Sequence, residues 1–447
     1  MKKKKKHLKN DLSSACVLYK DDCYFPKLDD TFINNSTNSW FDLTNTKSEE
    51  KIVYEKNKSS NLKKDETIIY SKKLLFLPTS EQIKILNDWF IDSITLYNKT
   101  LKILKSKMYY KTNDKPSFIQ IRNEIKGVKK EDGRNKREKQ CKSDIPVHIL
   151  DCSIKDAVEM YKSALTNWRQ KNIKRFRIRY QPYHKKNNKI LHVEPGYIRK
   201  NGTITVLGEC ILKEKETNEY YKLNKEEIKK EFKIQWNAYD KQYYFIFSIE
   251  RPISTIIKEK EKFISLDPGV SPFLSGVSET NAYFIGKDNY LKLKNKLDNI
   301  DKCEKSEISL KKKNKHNQKI RNKIKNMVND MHWKTIKWIT SNFNNILIGD
   351  MSAKGVVEGS IQKISKRILH CQRLFQFKQR LQFKCIENNV NYFEVNEFMT
   401  SKTCSCCGHI KEDLGLNKEY NCMNCGVKMH RDFNGARCIY NVWKMNN

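Results

Sequence analysis

Lys262-Phe263-Ile264-Ser265-Leu266-Asp267-Pro268-Gly269-Val270 is a short apolar run that ends in an acid and is turned at once by proline and glycine. Its length and composition suit a buried strand, and the Pro-Gly pair leaves the Asp267 carboxylate accessible at the strand's end. A hairpin is expected to follow. Further on, Ile346-Leu347-Ile348 and Val390 to Val395 read as two more strands, separated by a basic amphipathic helix over about 361–388 and preceded by a Lys-rich helical region over about 287–343. Strands alternating with helices predict an α/β layer.

The 447 residues exceed one ordinary core and suit two or three domains. A net charge of +36, from 88 Lys and Arg against 52 Asp and Glu, exceeds what solubility needs and points to a polyanionic partner. Nucleic acid is the leading candidate; a solvated charged surface and an anionic membrane surface are the competing readings. No run approaches the ~18 apolar residues that span a bilayer. The Lys2 to Lys6 run leads into His7, Leu8, Lys9 and Asn10 rather than an apolar segment. No secretory signal is therefore read, and an intracellular protein is expected. The 14 cysteines are scattered except for one cluster near the C-terminus, which favours reduced thiols and a metal site over a disulfide framework.

Residues 1–66, rich in Lys, Asn, Ser and Asp, read as a disordered basic extension with apolar islands at Val17-Leu18-Tyr19 and Trp40-Phe41. The lysine run fits a nuclear-import signal, a nucleic-acid-attracting arm or a plain solvated tail. Order is expected from Thr67-Ile68-Ile69-Tyr70. Thr79 and Gln82, at capping-box spacing, open a helix with Ile83, Leu86, Phe90, Ile94 and Tyr97 on one face. Further helices are expected over about 116–126 and 146–170. Short β-type runs follow: Lys189 to Val193, Thr203 to Leu207 and Tyr243 to Phe247.

Two acids stand out. Asp267 closes a strand, and Asp432 lies in His430-Arg431-Asp432-Phe433-Asn434-Gly435-Ala436-Arg437 near the start of a terminal helix. Nucleases of the RNase H type hydrolyse phosphodiesters with divalent ions held between carboxylates from separate segments, two ions sitting roughly 3.5–4 Å apart. An Asp at a strand end also serves as a plain turn former. Downstream, Cys404-x-x-Cys407 and Cys422-x-x-Cys425, each followed by a glycine within one residue, have the spacing of two zinc knuckles. Four thiolates with no open position make this Zn²⁺ structural. Cys406 is a bystander, and His409 and His430 are weaker substitutes.

These motifs, in this order, resemble the TnpB and Fanzor proteins of mobile elements, most closely Fanzor. Asp267-Pro268-Gly269 looks like the family's first RuvC motif, Arg431 to Arg437 like its third, and Phe377-Lys378-Gln379-Arg380-Leu381 continues the likeness. TnpB-like chains carry a Glu just after the middle strand, where this chain has Gly349-Asp350-Met351. Fanzor proteins use a later Glu, just before the zinc ribbon. Glu397 in Val395-Asn396-Glu397-Phe398-Met399-Thr400 matches that arrangement. The resemblance thus implies a catalytic set of Asp267, Glu397 and Asp432 binding Mg²⁺ or Mn²⁺, with Asp350 and Glu394 as alternatives.

By the same resemblance the fold is multidomain α+β. Residues 67–80 and 173–253 would form a wedge-type β-barrel, 81–172 a helical recognition domain, 254–403 and 426–447 an RNase H-like (RuvC) nuclease, and 404–425 an inserted zinc ribbon. The implied function is RNA-guided cleavage of double-stranded DNA. The expected partners are a guide RNA of the omega type and target DNA, in a monomeric ribonucleoprotein with no membrane partner, nuclear in a eukaryotic host. A catalytically inactive nucleic-acid-binding protein of transposon origin is the alternative. The basic segments 126–142, 169–189 and 287–326 are candidates to line a heteroduplex channel.

Overall fold

A computed structural model describes residues 16–18, 67–112, 114–126, 145–183, 187–214, 217–238, 240–253, 260–351, 362–413 and 417–446. The chain divides into two compact units. One comprises residues 69–251; the other comprises residues 252–447 together with the stretch up to residue 68.

The strand β1 (Cys16–Leu18) lies within the stretch expected to be disordered, and the rest of residues 1–66 lies outside the described residues. In the unit of residues 69–251, β2 (Thr67–Phe76) leads into helix α1 (Ser80–Ser106), which opens with the expected capping box between Thr79 and Gln82. Helices α2 (Phe118–Lys126) and α3 (Val147–Arg169) pack on the second half of α1 through Leu101, Leu104, Ile121, Ile154, Val158 and Tyr161. The strands β3 (Lys189–Val193), β4 (Leu212–Lys213), β5 (Tyr220–Tyr221), β6 (Phe232–Asn237) and β7 (Gln242–Pro252) join β2 in one sheet of order β3-β6-β7-β2-β4-β5.

That sheet corrects the expected barrel. It is open, with β3 and β5 at its two ends and no pairing between them among the described residues. The expected strand over Thr203 to Leu207 is also absent. Thr203 O accepts from Arg199 N–H, and Ile204 and Gly208 exchange backbone hydrogen bonds, so the segment folds on itself between Gly202 and Gly208, both at positive φ.

In the other unit, β8 (Glu261–Pro268) is the strand quoted at the outset. It pairs antiparallel with β9 (Leu274–Ser278), which pairs with β10 (Ala282–Ile285), whose far edge is covered by β1. Helices α4 (Asn289–Lys305) and α5 (Leu310–Asn342) then cross to β11 (Phe343–Gly349), which lies parallel to β8 on its other side. Parallel neighbours require such a crossover. Helices α6 (Lys363–Gln372) and α7 (Leu374–Glu387) lead to β12 (Asn391–Val395), parallel to β11. A hairpin of β13 (Glu419–Asn421) and β14 (Lys428–His430) precedes the last helix, α8 (Arg431–Asn446).

The helix expected over 361–388 is two helices, broken at Arg373, which sits in the left-handed region at φ 51°. The break has a packing reason. Ile368 and Leu374 are six residues apart and would point about 120° away from each other on one continuous helix. The kink returns Leu374, Phe377 and Leu381 to the core that Ile368 already faces. Phe375, by contrast, is 73% exposed.

Alternate residues of the strands face opposite layers. Ile264, Leu266, Ile346 and Ile348 face the core built by α4 to α7. Phe263, Leu347 and Val395 face α8 through Ile439. Replacing fully buried Ile346 with Ala is expected to cost about 2–5 kcal/mol. Leu291→Ala, at a position 62% exposed, is expected to stay within about 0.5 kcal/mol. Urea unfolding of the two variants checks this.

Candidate functional site

Strand register puts the first acid in place. Leu347 lies opposite Ser265 and Ile348 opposite Leu266, so the next residue, Gly349, comes level with Asp267 at the ends of β11 and β8. Gly349 is in turn opposite Val395 of β12. Three parallel strands therefore finish together, and Asp267 and Gly349 share the face that α8 covers. In open α/β sheets this carboxyl end is where ligands bind.

Glu397 follows β12 by two residues, and its carboxylate lies over the bare α-carbon of Gly349. A Cβ built on Gly349 would fall inside that carboxylate. The glycine that replaces the expected Glu is thus what makes room for the later one. Met351 N–H donates to the Glu397 carboxylate, whereas Glu397 Oε1 is buried with no hydrogen-bond partner. Burial pushes the Glu397 carboxyl up to about 7, against the downward pull of Lys378 and helped by Asp350 and Glu394.

The third acid comes from α8. Asp432 is in its first turn, and its N–H donates to His430 Nδ1 at 3.3 Å. One turn on, a methyl placed at Gly435 would come within 2.6 Å of Asp267 Oδ2, so this helix lies directly against the first acid. Ser265 Oγ donates to Ala436 O at 2.6 Å and fixes the same approach. Asp267 is held well above the usual carboxylate range, chiefly by burial, then by the charges of Glu397 and Asp432, with Arg431 pulling the other way. The charges of both other acids thus reach the Asp267 carboxyl.

The two alternative acids are otherwise engaged. Asp350 Oδ1 accepts the Glu397 N–H at 3.1 Å, and Asp350 N–H donates to Val395 O at 2.8 Å. Asp350 therefore holds the backbone of Glu397 in position. Glu394 pairs with Lys378 at 2.6 Å across β12 and α7. A buried, unpartnered carboxylate oxygen among repelling acids is a donor set that suits a hard divalent cation.

The four ribbon cysteines also meet. Their sulfurs all lie within 4.8 Å of one another, with Cys404 and Cys425 at 3.7 Å and Cys407 and Cys422 at 3.5 Å. Four thiolates at about 2.3 Å from one zinc ion lie about 3.8 Å apart, so the set fits Zn²⁺. The two knuckles repeat one backbone pattern. Gly408 N–H donates to Cys404 O and Gly426 N–H to Cys422 O, both at 3.0 Å, with the glycines at φ 74° and 71°. Fully buried Asn434 ties the first knuckle to α8. Its Oδ1 accepts from Ser405 N–H at 2.9 Å, and its Nδ2 donates to Thr403 O at 2.7 Å.

Several functional contributors had no sequence signal of their own. The need for glycine at 349, the Lys378 pairing and the Asn434 staple all depend on tertiary neighbours.

Two outcomes follow from this geometry. Gly349→Ala is expected to destabilise the wild-type chain by about 1–3 kcal/mol but to be nearly neutral in a Glu397→Ala background, as thermal melts of the double-mutant cycle can establish. With its carboxyl near 7 in the fold and near about 4.3 when unfolded, Glu397 keeps a proton over an interval where the unfolded chain has lost it. Stability in chelator should therefore fall as pH rises from about 4.5 to about 7, Asp267 acting in the same direction, and urea midpoints across that interval test it.

The family model described as Cas12f1-like, TNB domain, matches residues 375–439, a stretch that includes Glu397, all four ribbon cysteines and Asp432. Two TnpB-like proteins of Acanthamoeba polyphaga mimivirus are each 29% identical over 411 residues, covering 86% of this chain and 75% and 74% of the relatives. Among solved structures, a Cas12f1-sgRNA-target DNA complex aligns at 12% identity with a TM-score of 0.48, over 83% of this chain and 98% of that one. Over most of its length this chain is thus similar to TnpB-like proteins.

Proposed function

We propose that the protein is an RNA-guided DNA endonuclease of mobile-element origin, of the Fanzor type, cutting at Asp267, Glu397 and Asp432. The observation that carries this reading is Glu397 seated over Gly349, within the electrostatic reach of Asp267. A vacated middle position filled by an acid from just before the ribbon is the rearrangement that the Fanzor resemblance implies. The strand order around β8, with antiparallel neighbours on one side and parallel ones on the other, supports an RNase H-like core over residues 254–403 and 426–447. Residues 404–425 would be its zinc ribbon. Residues 67–80 and 173–253 would be the wedge domain, as an open sheet, and 81–172 the recognition helices.

Bound Mg²⁺ or Mn²⁺ would activate water and stabilise the leaving oxygen of the cleaved phosphodiester. The chain's own part is to hold the ligands. Asp267 approaches from the end of β8 and Glu397 from the segment after β12, on either side of β11, and Asp432 comes from the helix α8, while Asp350 fixes the Glu397 backbone. The ribbon, stapled to α8 by Asn434, would keep Asp432 in register with the strand acids.

Exposed charge supports the nucleic-acid partners. In Arg175-Phe176-Arg177-Ile178-Arg179 the arginines are exposed while Phe176 and Ile178 pack inward, leaving a row of cations at the surface. Lys311, Lys312, Lys315, Lys319, Arg321 and Lys323 are exposed along α5. The third basic segment, 126–142, lies outside the described residues apart from Lys126. Among the described residues no helix is long and apolar enough to cross a membrane. Nuclear import through the lysine run belongs to this same reading.

The deciding experiment purifies the chain with co-expressed RNA, sequences what is retained at high salt, and adds matching DNA with Mg²⁺. RNA-dependent cleavage is expected, lost by about 100-fold or more in Asp267→Ala, Glu397→Ala and Asp432→Ala and kept in Asp350→Asn, whose Oδ1 can still accept the Glu397 N–H. Retained RNA without cleavage would replace this reading with a guided binding protein, and absence of RNA would end it. If about ten phosphates are neutralised, duplex binding should fall with a log-log salt slope near about −9. Removing zinc should abolish cleavage and lower the melting temperature; zinc loss with cleavage intact would refute the bracing role of the ribbon.

A further inference from the structure

One cluster of ligating side chains in the unit of residues 69–251 has no part in the reading above. His148 and Cys152 stand four residues apart on α3, so both project from one face of that helix. Glu231, the residue before β6, comes to meet them. His148 Nε2 lies 3.2 Å from Cys152 Sγ and 3.5 Å from Glu231 Oε2, and Cys152 Sγ lies 3.8 Å from the same oxygen.

We propose that this triangle is a second metal site, binding Zn²⁺ through His148 Nε2, Cys152 Sγ and Glu231 Oε2, with water completing the shell. Zinc bound at about 2.0–2.1 Å to nitrogen and oxygen and about 2.3 Å to sulfur sets its ligands about 3.3–3.6 Å apart, close to the three distances found. A thiolate beside an imidazole selects a borderline-soft transition metal over magnesium or calcium.

The surroundings are those of a metal-bound histidine. His148 Nδ1 lies 2.6 Å from Glu194 Oε1, and a ligating imidazole characteristically gives its second ring N–H to a carboxylate, which fixes both ring and tautomer. Glu231 is held as well, its Oε1 hydrogen-bonded to His192 Nδ1, while His192 Nε2 lies 3.5 Å from Asp156 Oδ2. In the neutral ring whose Nδ1–H donates to Glu194, the form that binds metal, Nε2 carries a lone pair. That lone pair, the sulfur and Glu231 Oε2 then converge with a single thiol hydrogen among three electron-pair donors. A cation resolves the shortage, and the Cys152 proton leaves to solvent as the S–Zn bond forms. The ion would fasten α3 to the sheet beside β3 and β6.

Elemental analysis of the full chain purified with zinc tests this. Cys152→Ser is expected to hold one zinc fewer per chain than the wild type. Cys210→Ser, which removes another buried thiol of the same unit, should lose none. Glu194→Gln leaves all three ligands in place and should weaken the binding of one zinc by about 10–100-fold in chelator competition. It also decides the matter should Cys152→Ser fail to fold. Equal zinc in wild type and Cys152→Ser, or unchanged affinity in Glu194→Gln, would overturn the proposal and leave the cluster a network of hydrogen bonds and ion pairs.

Discussion

Everything at the acidic site depends on the parallel pairing of β8, β11 and β12. Parallel strands share a direction, so their carboxyl ends lie side by side, and the register brings Asp267 level with Gly349 and Gly349 level with Val395. A slip of one residue would turn Asp267 toward the opposite layer, because side chains alternate faces along a strand. The hydrophobic pattern guards against this slip. Ile264, Leu266, Ile346 and Ile348 must enter the large core, which leaves Ser265, Asp267, Leu347 and Gly349 for the face under α8. The acids are located by the burial of their apolar neighbours.

Given that register, the site resolves a steric competition. One carboxylate can occupy the space beside Asp267, and it can come from β11 itself or from the segment after β12. This chain uses the second route, and Gly349 is its necessary counterpart. Asp350, displaced one position along, takes up the Glu397 N–H and serves as a brace. Lys378 tempers the excess of negative charge through Glu394. In isolation the group is electrostatically unfavourable, since burial and mutual repulsion both oppose ionisation of Asp267. A site that stores such repulsion is suited to bind divalent charge.

Much of the architecture could be read from the sequence because it is periodic or punctuated. The apolar strands, the capping box at Thr79 and the paired knuckles carry local signals that tertiary packing did not override. The barrel was not legible, since sheet closure depends on whether the end strands meet, and β4 and β5 are two residues each. The break at Arg373 was hidden because its cause is the position of a core, not a proline or glycine. Val206, at φ 76°, lies in a segment that reads as a β-branched strand and folds as a turn. The part of Asp350 could not be assigned either, for an acid beside the expected position looks like a ligand until its partner is seen to be an amide.

The helix α8 links the order of synthesis to the assembly of the acids. Its first turn supplies Asp432, its Gly435 lies against Asp267, and its Asn434 grips the ribbon. The strands that carry the other acids are translated well before it. A chain that stops short of it lacks both Asp432 and the helix that lies against Asp267. The last helix acts as the keystone of an arch: the stones on either side are already cut, and none of them can bear weight until it is set.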